Sequence, residues 1–575
     1  MKNKTQQTLR KPYVAQFYHR NRLAYFCGML LPAGLISGVN LVVTWLMQQI
    51  IDTVSGVPGS REVGTLCGLT VIVILLIIPI EGLEYLFRPR FMSRAMTQYK
   101  DFAFRKLTGK NMASFRSENT AVYLSAFSND LAAIETNYLE KQYKLTFNLV
   151  VGTGAMFVML LYSPVLTLIA LGFCVLPIIV SIGTGGNLAK AEKAVSERNN
   201  GFVASLKDIV SGFSVIKSFR AEGAALDILE KSSEAVEETK RKKRKISTVV
   251  STIGSMAGII TQLGTFLVGA ALVLIGIGIT PGVLIAFMNL TGLLIGPISE
   301  MPELLAVQKA ALGLVDKMAA ALESNIQDEG RDIPNHLDIG ISVHNLRFGY
   351  EPDSEILHDI DVDLKAGKSY AIVGNSGSGK STLLNLLMAS RHDYGGTICF
   401  DSSELREISS KSLYELVSMI EQNVFVFDAS IRDNITMFRE FPAEEVDRAI
   451  ELSGLSQVIE QHGADYLCGE NGRGLSGGEK QRISIARSLL QKSSVLLADE
   501  VTAALDAQTA HQVISDILKL DGMTRIIVTH ALVESLLRQY DGIIVLKDGQ
   551  IVERGTFEDL MEEKGYFYAL YTVAQ

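Results

Sequence analysis

Nine consecutive residues, Gly374-Asn375-Ser376-Gly377-Ser378-Gly379-Lys380-Ser381-Thr382, fit G-x-x-x-x-G-K-[ST]. Glycines in such a loop let successive backbone N–H groups turn inward on phosphate oxygens, while the lysine meets the terminal phosphates and the hydroxyl ligates magnesium. The apolar run Ser369-Tyr-Ala-Ile-Val-Gly374 before it reads as a buried parallel strand, and residues 383–388 after it favour helix. Downstream, Ser494-Val-Leu-Leu-Ala-Asp499-Glu500 is a second buried strand ending in two carboxylates. Magnesium-dependent phosphoryl transfer calls for such a pair: Asp499 to hold the metal through water, Glu500 to polarise the attacking water as general base. A third apolar run, Arg525-Ile-Ile-Val-Thr-His530, ends in a histidine placed to sense a γ-phosphate, and Tyr350 in Phe348-Gly-Tyr350 offers a ring for stacking on adenine. Taken singly, His530 also fits a surface histidine and Tyr350 a core aromatic.

The elements that position these residues occupy only the second half of the chain. At 575 residues, 48% hydrophobic, with a mean hydropathy of +0.24, the chain is too apolar for one soluble enzyme. The excess lies before about residue 320, in runs at 23–51, 63–87, 145–162, 165–182, 247–279 and 282–307. Each is close to or above the roughly 20 residues that cross about 30 Å of hydrocarbon, so six membrane helices are expected. The links after the first, third and fifth runs are short and nearly free of lysine and arginine. Those after the second and fourth are long and basic, the latter carrying Lys240-Arg-Lys-Lys-Arg-Lys245. Both termini are therefore expected in the cytoplasm.

Between about residues 91 and 144, and again between 187 and 246, polar sequence carries apolar residues at helical spacing, which predicts helices continuing far beyond the bilayer. Glu84 stands four residues before Arg88, the favourable order for an intrahelical pair. Glu300, between Pro297 and Pro302, and Asn289 near mid-span are the candidates for contact with a solute. Net charge −8 and the absence of a basic, aromatic-rich face exclude nucleic acid as partner. Cys27, Cys67, Cys174, Cys399 and Cys468 are scattered without ligand spacing and suggest neither disulfides nor zinc. Residues 324–335 have linker composition, and strand-like alternation begins near Ile341.

Leu475-Ser476-Gly477-Gly478-Glu479-Lys-Gln-Arg482 sets a second glycine turn before a helix at 483–490, and with it a second set of N–H groups for an anion. With this segment the chain resembles the ATP-binding cassette (ABC) transporters: residues 342–570 look like the nucleotide-binding domain, and the half before them like the membrane domain of exporter-type half-transporters. The resemblance implies a multidomain membrane protein, a six-helix all-α transmembrane domain with long cytoplasmic helical extensions followed by an α/β P-loop ABC ATPase domain with a helical subdomain. The boundaries expected are 1–322, a linker at 323–340, and 341–575.

By resemblance, Tyr350 matches the adenine-stacking aromatic, residues 374–382 the Walker A loop, and Gln422 the Q-loop glutamine that touches magnesium and faces the membrane domain. Residues 475–481 match the signature, Asp499 and Glu500 the Walker B aspartate and catalytic glutamate, Asp506 the D-loop aspartate, and His530 the switch histidine. ATP and Mg2+ are the implied cofactors, with Ser381, Gln422 and Asp499 around the metal. Residues 468–472 resemble the X-loop. Phe115, Leu124, Ser125, Asn129 and Asp130, and residues 212–217 with Glu222, fit the regions that carry coupling helices. Three positions depart: Val501 stands for a usual proline, Ala121 for a glycine, and Ala126 for an arginine, which leaves coupling geometry in doubt but no catalytic group missing.

In this family the signature of one subunit closes over nucleotide held by the other, so a dimer in the lipid bilayer is implied. A homodimer is preferred over a heterodimer with a second half-transporter, because one chain carries both half-sites. The function expected is export of a lipophilic, peptide or drug-like solute by alternating access, from a bacterial cytoplasmic membrane. The alternatives are an importer on the same fold, as some siderophore systems are, and an ATP-gated channel-like protein. About 22 residues before the first span leave no room for a leader peptidase domain.

Overall fold

The computed structural model describes residues 2–116, 118–276, 278–323, 330–351, 354–501, 505 and 507–574. The chain divides into two compact units, Met1–Gly109 with Thr120–Glu323, and Lys110–Asn119 with Ser324–Gln575.

The first unit is helical. Its principal helices are α1 (Lys2–Tyr18), α2 (Leu31–Val54), α3 (Val63–Thr108), α4 (Lys141–Tyr162), α5 (Pro164–Ser211), α6 (Glu222–Ile275) and α7 (Pro281–Glu323). Among the described residues, five helical stretches are long and apolar enough to cross a membrane, and a shorter apolar helix covers Pro164–Val180 at the start of α5. The extensions predicted from polar sequence with helical spacing are present: α3, α5 and α6 run for 46, 48 and 54 residues, about 70–80 Å each at ~1.5 Å per residue. Glu84 pairs with Arg88 at 2.7 Å and accepts from Tyr143 Oη at 2.6 Å, so this carboxylate holds α3 to α4.

Two features of this unit differ from the hydropathy reading. The residues before the first span, outside every apolar run, form α1, which buries Tyr13 and Phe17 completely, stacks Phe17 on Tyr99 at 4.5 Å, and joins Arg10 to Asp316 of α7 at 2.6 Å. Asp52 falls just past the apolar run at 23–51, but α2 continues to Val54 and leaves Asp52 only 5% exposed. Its carboxylate accepts from Gln48 (2.6 Å), Thr280 Oγ1 (2.9 Å) and the Gly282 N–H (2.8 Å), tying α2 to the start of α7. A Cβ on Gly282 would lie 2.2 Å from the Gln48 carbonyl oxygen, so the close approach requires glycine. Asp52→Ala strips a first-turn N–H and a buried amide of their acceptor; a loss of about 2–4 kcal/mol is expected, read by thermal unfolding in detergent, with Asp52→Asn intermediate.

The second unit contains two sheets. One is antiparallel, order β2-β1-β4-β5: β1 Gly340–Glu351, β2 Ser354–Lys365, β4 Gly395–Phe400 and β5 Ser403–Glu404. The other has order β10-β9-β3-β8-β7-β6: β3 Ser369–Gly374, β6 Val417–Ile420, β7 Val495–Asp499, β8 Thr524–Val528, β9 Gly542–Lys547 and β10 Gln550–Gly555. All of its pairings are parallel except β10 with β9. Alternate residues of its central strands enter different cores: Ile372, Leu497, Val528 and Ile544 one, Ala371, Leu496, Ile527 and Ile543 the other. Burial on both faces is why these strands read as continuous apolar runs. A third core, with Ile431, Val446, Val458, Leu475 and Ile483, makes the helical subdomain.

The linker reading covered residues now joined to this unit. Arg331 N–H donates to the Glu407 carbonyl at 2.6 Å, Ile333 N–H to Ser412 Oγ at 2.8 Å, and Ile333 and Leu337 pack against the core. Polar composition concealed the attachment because backbone groups make most of it.

Candidate nucleotide-binding and catalytic site

Strand order brings the chemistry together. β3 pairs with β8 and β8 with β7, in register so that Ile372 and Asp499 both stand opposite Val528. The loop after β3, Glu500 after β7 and His530 after β8 therefore open at one carboxyl edge of the sheet, where parallel α/β sheets bind ligands. β8 ends at Val528, two residues earlier than its apolar run, and frees His530 from the ladder.

The loop leads into α8 (Lys380–Leu387), three residues ahead of the predicted run. Gly374 has φ +155°, with the Leu546 carbonyl 2.1 Å from any added Cβ; Gly379 has φ +97°, with Leu357 Cδ2 at 2.6 Å. Both positions demand glycine sterically as well as conformationally. Lys380 is 4% exposed and donates from Nζ to the carbonyls of Gly374 (2.9 Å) and Asn375 (2.8 Å). Burial pushes its pKa down, against the pull of Glu500 and Asp499. Asp499 moves the other way, raised by burial and only partly offset by a hydrogen bond with Ser381. Asp499 Oδ1 and Ser378 Oγ are buried without a hydrogen bond among the described residues. Two orphaned oxygens beside a buried ammonium and the Ser381 hydroxyl make a donor set that fits a divalent cation with phosphate.

Glu500 adopts φ +50°, a left-handed conformation costly for a residue that carries a Cβ, and its N–H donates to the Val528 carbonyl at 3.1 Å. Its carboxylate is held on both sides: Gln422 Nε2 donates to Oε2 at 2.6 Å, and His530 Nε2 lies 2.8 Å from Oε1. Three residues predicted separately thus form one constellation. Tyr350 is 54% exposed, its ring edge-on to Phe348 with the Arg391 guanidinium 5.9 Å from its centroid, so it is a presented aromatic and not a core one.

Ser476 N-caps α9 (Gly477–Gln491), which starts six residues before the predicted helix. It forms a capping box with Glu479, Ser476 N–H to Glu479 Oε2 at 2.6 Å and Glu479 N–H to Ser476 Oγ at 3.3 Å. Burial works against the Glu479 carboxylate, but these bonds hold its pKa below the usual range. Gly477 and Gly478 fall at N1 and N2, whose N–H groups have no acceptor within the helix. Leu475 anchors the turn in the third core. Cys468 N–H donates to the Ala429 carbonyl at 2.9 Å, and all five cysteines are free thiols. Val501 is 1% exposed, in the second sheet core. Asp506 lies outside the described residues, as does the Ala121 side chain; Ala126 is buried in a π-helical turn at Ala126–Asp130.

One contact escaped sequence reasoning. The short helix Met112–Arg116 belongs to this unit: Met112 N–H donates to Tyr414 Oη (3.1 Å), and Arg116 donates to Asn385 Oδ1 (3.0 Å) and pairs with Glu421 (3.1 Å) next to Gln422. A lone arginine after Phe115 carries no pattern that reveals such a partner. Arg116→Ala is expected to lower ATP turnover roughly two- to five-fold with ATP affinity unchanged, the scale of an exposed ion pair. Steady-state hydrolysis and equilibrium nucleotide binding check this.

Two family models match, "ABC transporter" over residues 357–503 and "ABC transporter transmembrane region" over residues 26–298. An ATP-dependent lipid A-core flippase of Desulfotalea psychrophila is 30% identical over 393 residues, 67% of each chain. The chain is an ABC transporter. As such it is an integral membrane ATP hydrolase coupled to transport. The uncharacterized transporter YwjA of Bacillus subtilis is 28% identical over 83% of each chain. The β-(1→2)glucan export protein NdvA of Rhizobium johnstonii is 32% identical over 64% of this chain and 63% of its own. In fold, the chain matches a bacterial Atm1-family ABC exporter with ATP bound: TM-score 0.83, 22% identity, 95% of this chain and 98% of that one. The exporter resemblance drawn from the motifs is confirmed at the level of family and fold.

Proposed function

We propose that this ABC transporter works as a pair of identical chains and exports a lipophilic, peptide-like or drug-like solute by alternating access. Residues 1–322 would form the membrane domain and 341–575 the nucleotide-binding domain, with both termini cytoplasmic and the protein in a bacterial cytoplasmic membrane. The observation that carries the hydrolytic part is the Glu500 carboxylate fixed between Gln422 and His530 at 2.6 and 2.8 Å, at the edge where the phosphate loop opens.

In this reading Lys380 and the loop N–H groups hold the β- and γ-phosphates, and Tyr350 stacks on adenine. Ser381, Gln422 and, through water, Asp499 would hold magnesium, which when bound would neutralise charge on the phosphate oxygens. Glu500 orients a water and accepts its proton as the water oxygen bonds to the γ-phosphorus and the bond to the β-phosphate oxygen breaks, releasing ADP and phosphate. His530 steadies Glu500 and the γ-phosphate. Residues 475–479 of a partner copy would close over the same nucleotide, and Asp506 would sit at that interface. Loss of the γ-phosphate contacts then lets the two copies part, and access switches.

The test is ATP hydrolysis by the chain purified alone into lipid, with assembly size recorded. A hydrolysing two-chain particle supports the homodimer, and a folded, inactive monomer rejects it. ATP-driven uptake into inside-out vesicles supports export; uptake only into right-side-out vesicles would support import.

A further inference from the structure

Beside the α4–α7 contact runs a groove of about 610 Å³, within the size range of ligand sites. Gly152 of α4 faces Pro297 of α7 at 3.7 Å from the glycine's would-be Cβ, and Met156, Phe157, Leu160 and Leu294 continue the wall. From Asn148 to Leu160 the groove follows thirteen residues of α4, a rise of about 18 Å at ~1.5 Å per step, slightly more than one leaflet of a ~30 Å hydrocarbon core. Its polar end is built. Asn148 lines it, is 5% exposed, and donates from Nδ2 to Glu300 Oε2 at 3.1 Å; Lys144, one turn away, donates to Glu300 Oε1 at 3.0 Å. Both charged side chains remain nearly half exposed, at 49% and 43%.

We propose that this groove receives the transported solute from the cytoplasmic leaflet, and that the solute is an amphiphile whose headgroup joins a phosphate to a primary amine. The inference rests on the transport reading above and names a substrate class for it. The apolar wall takes one hydrocarbon chain. At its end, the accessible Lys144–Glu300 pair exchanges partners with a zwitterion laid antiparallel to it, phosphate on the ammonium and amine on the carboxylate. A purely anionic headgroup would face Glu300 and a purely cationic one Lys144, each a like-charge contact near the low-dielectric interface.

The full chain, with its single tryptophan moved from the outer part of α2 to the groove (Trp45→Phe, Phe157→Trp), is placed in phosphatidylcholine vesicles. These are doped with lipids brominated on the acyl chain: phosphatidylethanolamine, phosphatidylglycerol or a diacyl trimethylammonium lipid. Half-maximal quenching is expected at about five-fold lower mole fraction for phosphatidylethanolamine than for the other two. Glu300→Gln should turn the preference towards phosphatidylglycerol and Lys144→Gln towards the cationic lipid, opposite switches that a merely structural pair would not produce. In the Glu500→Gln background, ATP with magnesium should relieve the quenching as the groove is emptied. Equal quenching by all three lipids, or preference for a singly charged one in the unmodified pair, overturns the site. Preference unaffected by ATP marks a resident lipid and overturns the substrate assignment. Hydrolysis measured in the same vesicles separates failures: no headgroup preference in a hydrolysing protein rejects the groove alone, whereas preference in a protein that never hydrolyses ATP supports the site and rejects transport.

Discussion

Glu500→Gln is expected to slow ATP hydrolysis by about 10²- to 10⁴-fold while leaving ATP binding intact, the range of a positioned general base. The substitution preserves side-chain length, and the carboxamide oxygen can still accept from Gln422 Nε2, which donates to Glu500 at 2.6 Å. What it removes is the basic oxygen 2.8 Å from His530, and with it the destination of the water proton. Binding contacts lie elsewhere, in the loop and Lys380, so the variant should accumulate with ATP bound and its two copies closed. Single-turnover hydrolysis and the size of the ATP-bound particle check both halves. Hydrolysis at the unmodified rate would show that Glu500 is not the base.

Lys380→Ala is expected to weaken ATP binding roughly 10- to 100-fold, the equivalent of one charge-assisted hydrogen bond of about 1.5–3 kcal/mol. Lys380 Nζ spans the loop by donating to the carbonyls of Gly374 and Asn375, so its removal also loosens the curl that aims the N–H groups. The ammonium is kept in a buried site at the expense of a lowered pKa, a strained arrangement that a phosphate would relieve. Equilibrium binding of a fluorescent ATP analogue, with the fold monitored by circular dichroism, provides the readout. Retained affinity in a folded variant would remove Lys380 from the phosphate site. The two substitutions should separate cleanly, one losing binding and the other only turnover.

The residues of the nucleotide site were readable because their chemistry demands types at short, rigid spacings. A glycine at 374 or 379 faces backbone or packed side chains at 2.1 and 2.6 Å, and such local constraints leave a linear signature. Apolar strands buried on both faces likewise announce themselves as runs, and membrane helices by length. By contrast, Asp52 falls just past an apolar run, and only its convergence with Thr280 and Gly282 at 2.9 and 2.8 Å makes it a tie between helices. Arg116 was one more arginine among many until the fold set it against Glu421 at 3.1 Å.

By itself, then, the sequence determined which residues are proposed to handle phosphate, that half the chain is apolar enough for a bilayer, and that its family is the ABC transporters. Hydropathy and motif spacing are local quantities, accumulated within a few residues. The tertiary structure alone decided that Gln422, Glu500 and His530 meet, that α1 is buried against α7, that residues 330–337 belong to the nucleotide-binding unit, and that Asn148, lining an apolar groove, meets the Glu300 that pairs with Lys144. Those partners are separated by as many as 306 residues, as Arg10 and Asp316 are. Contacts made only after strand order and helix packing are set leave no periodic trace in the chain that forms them.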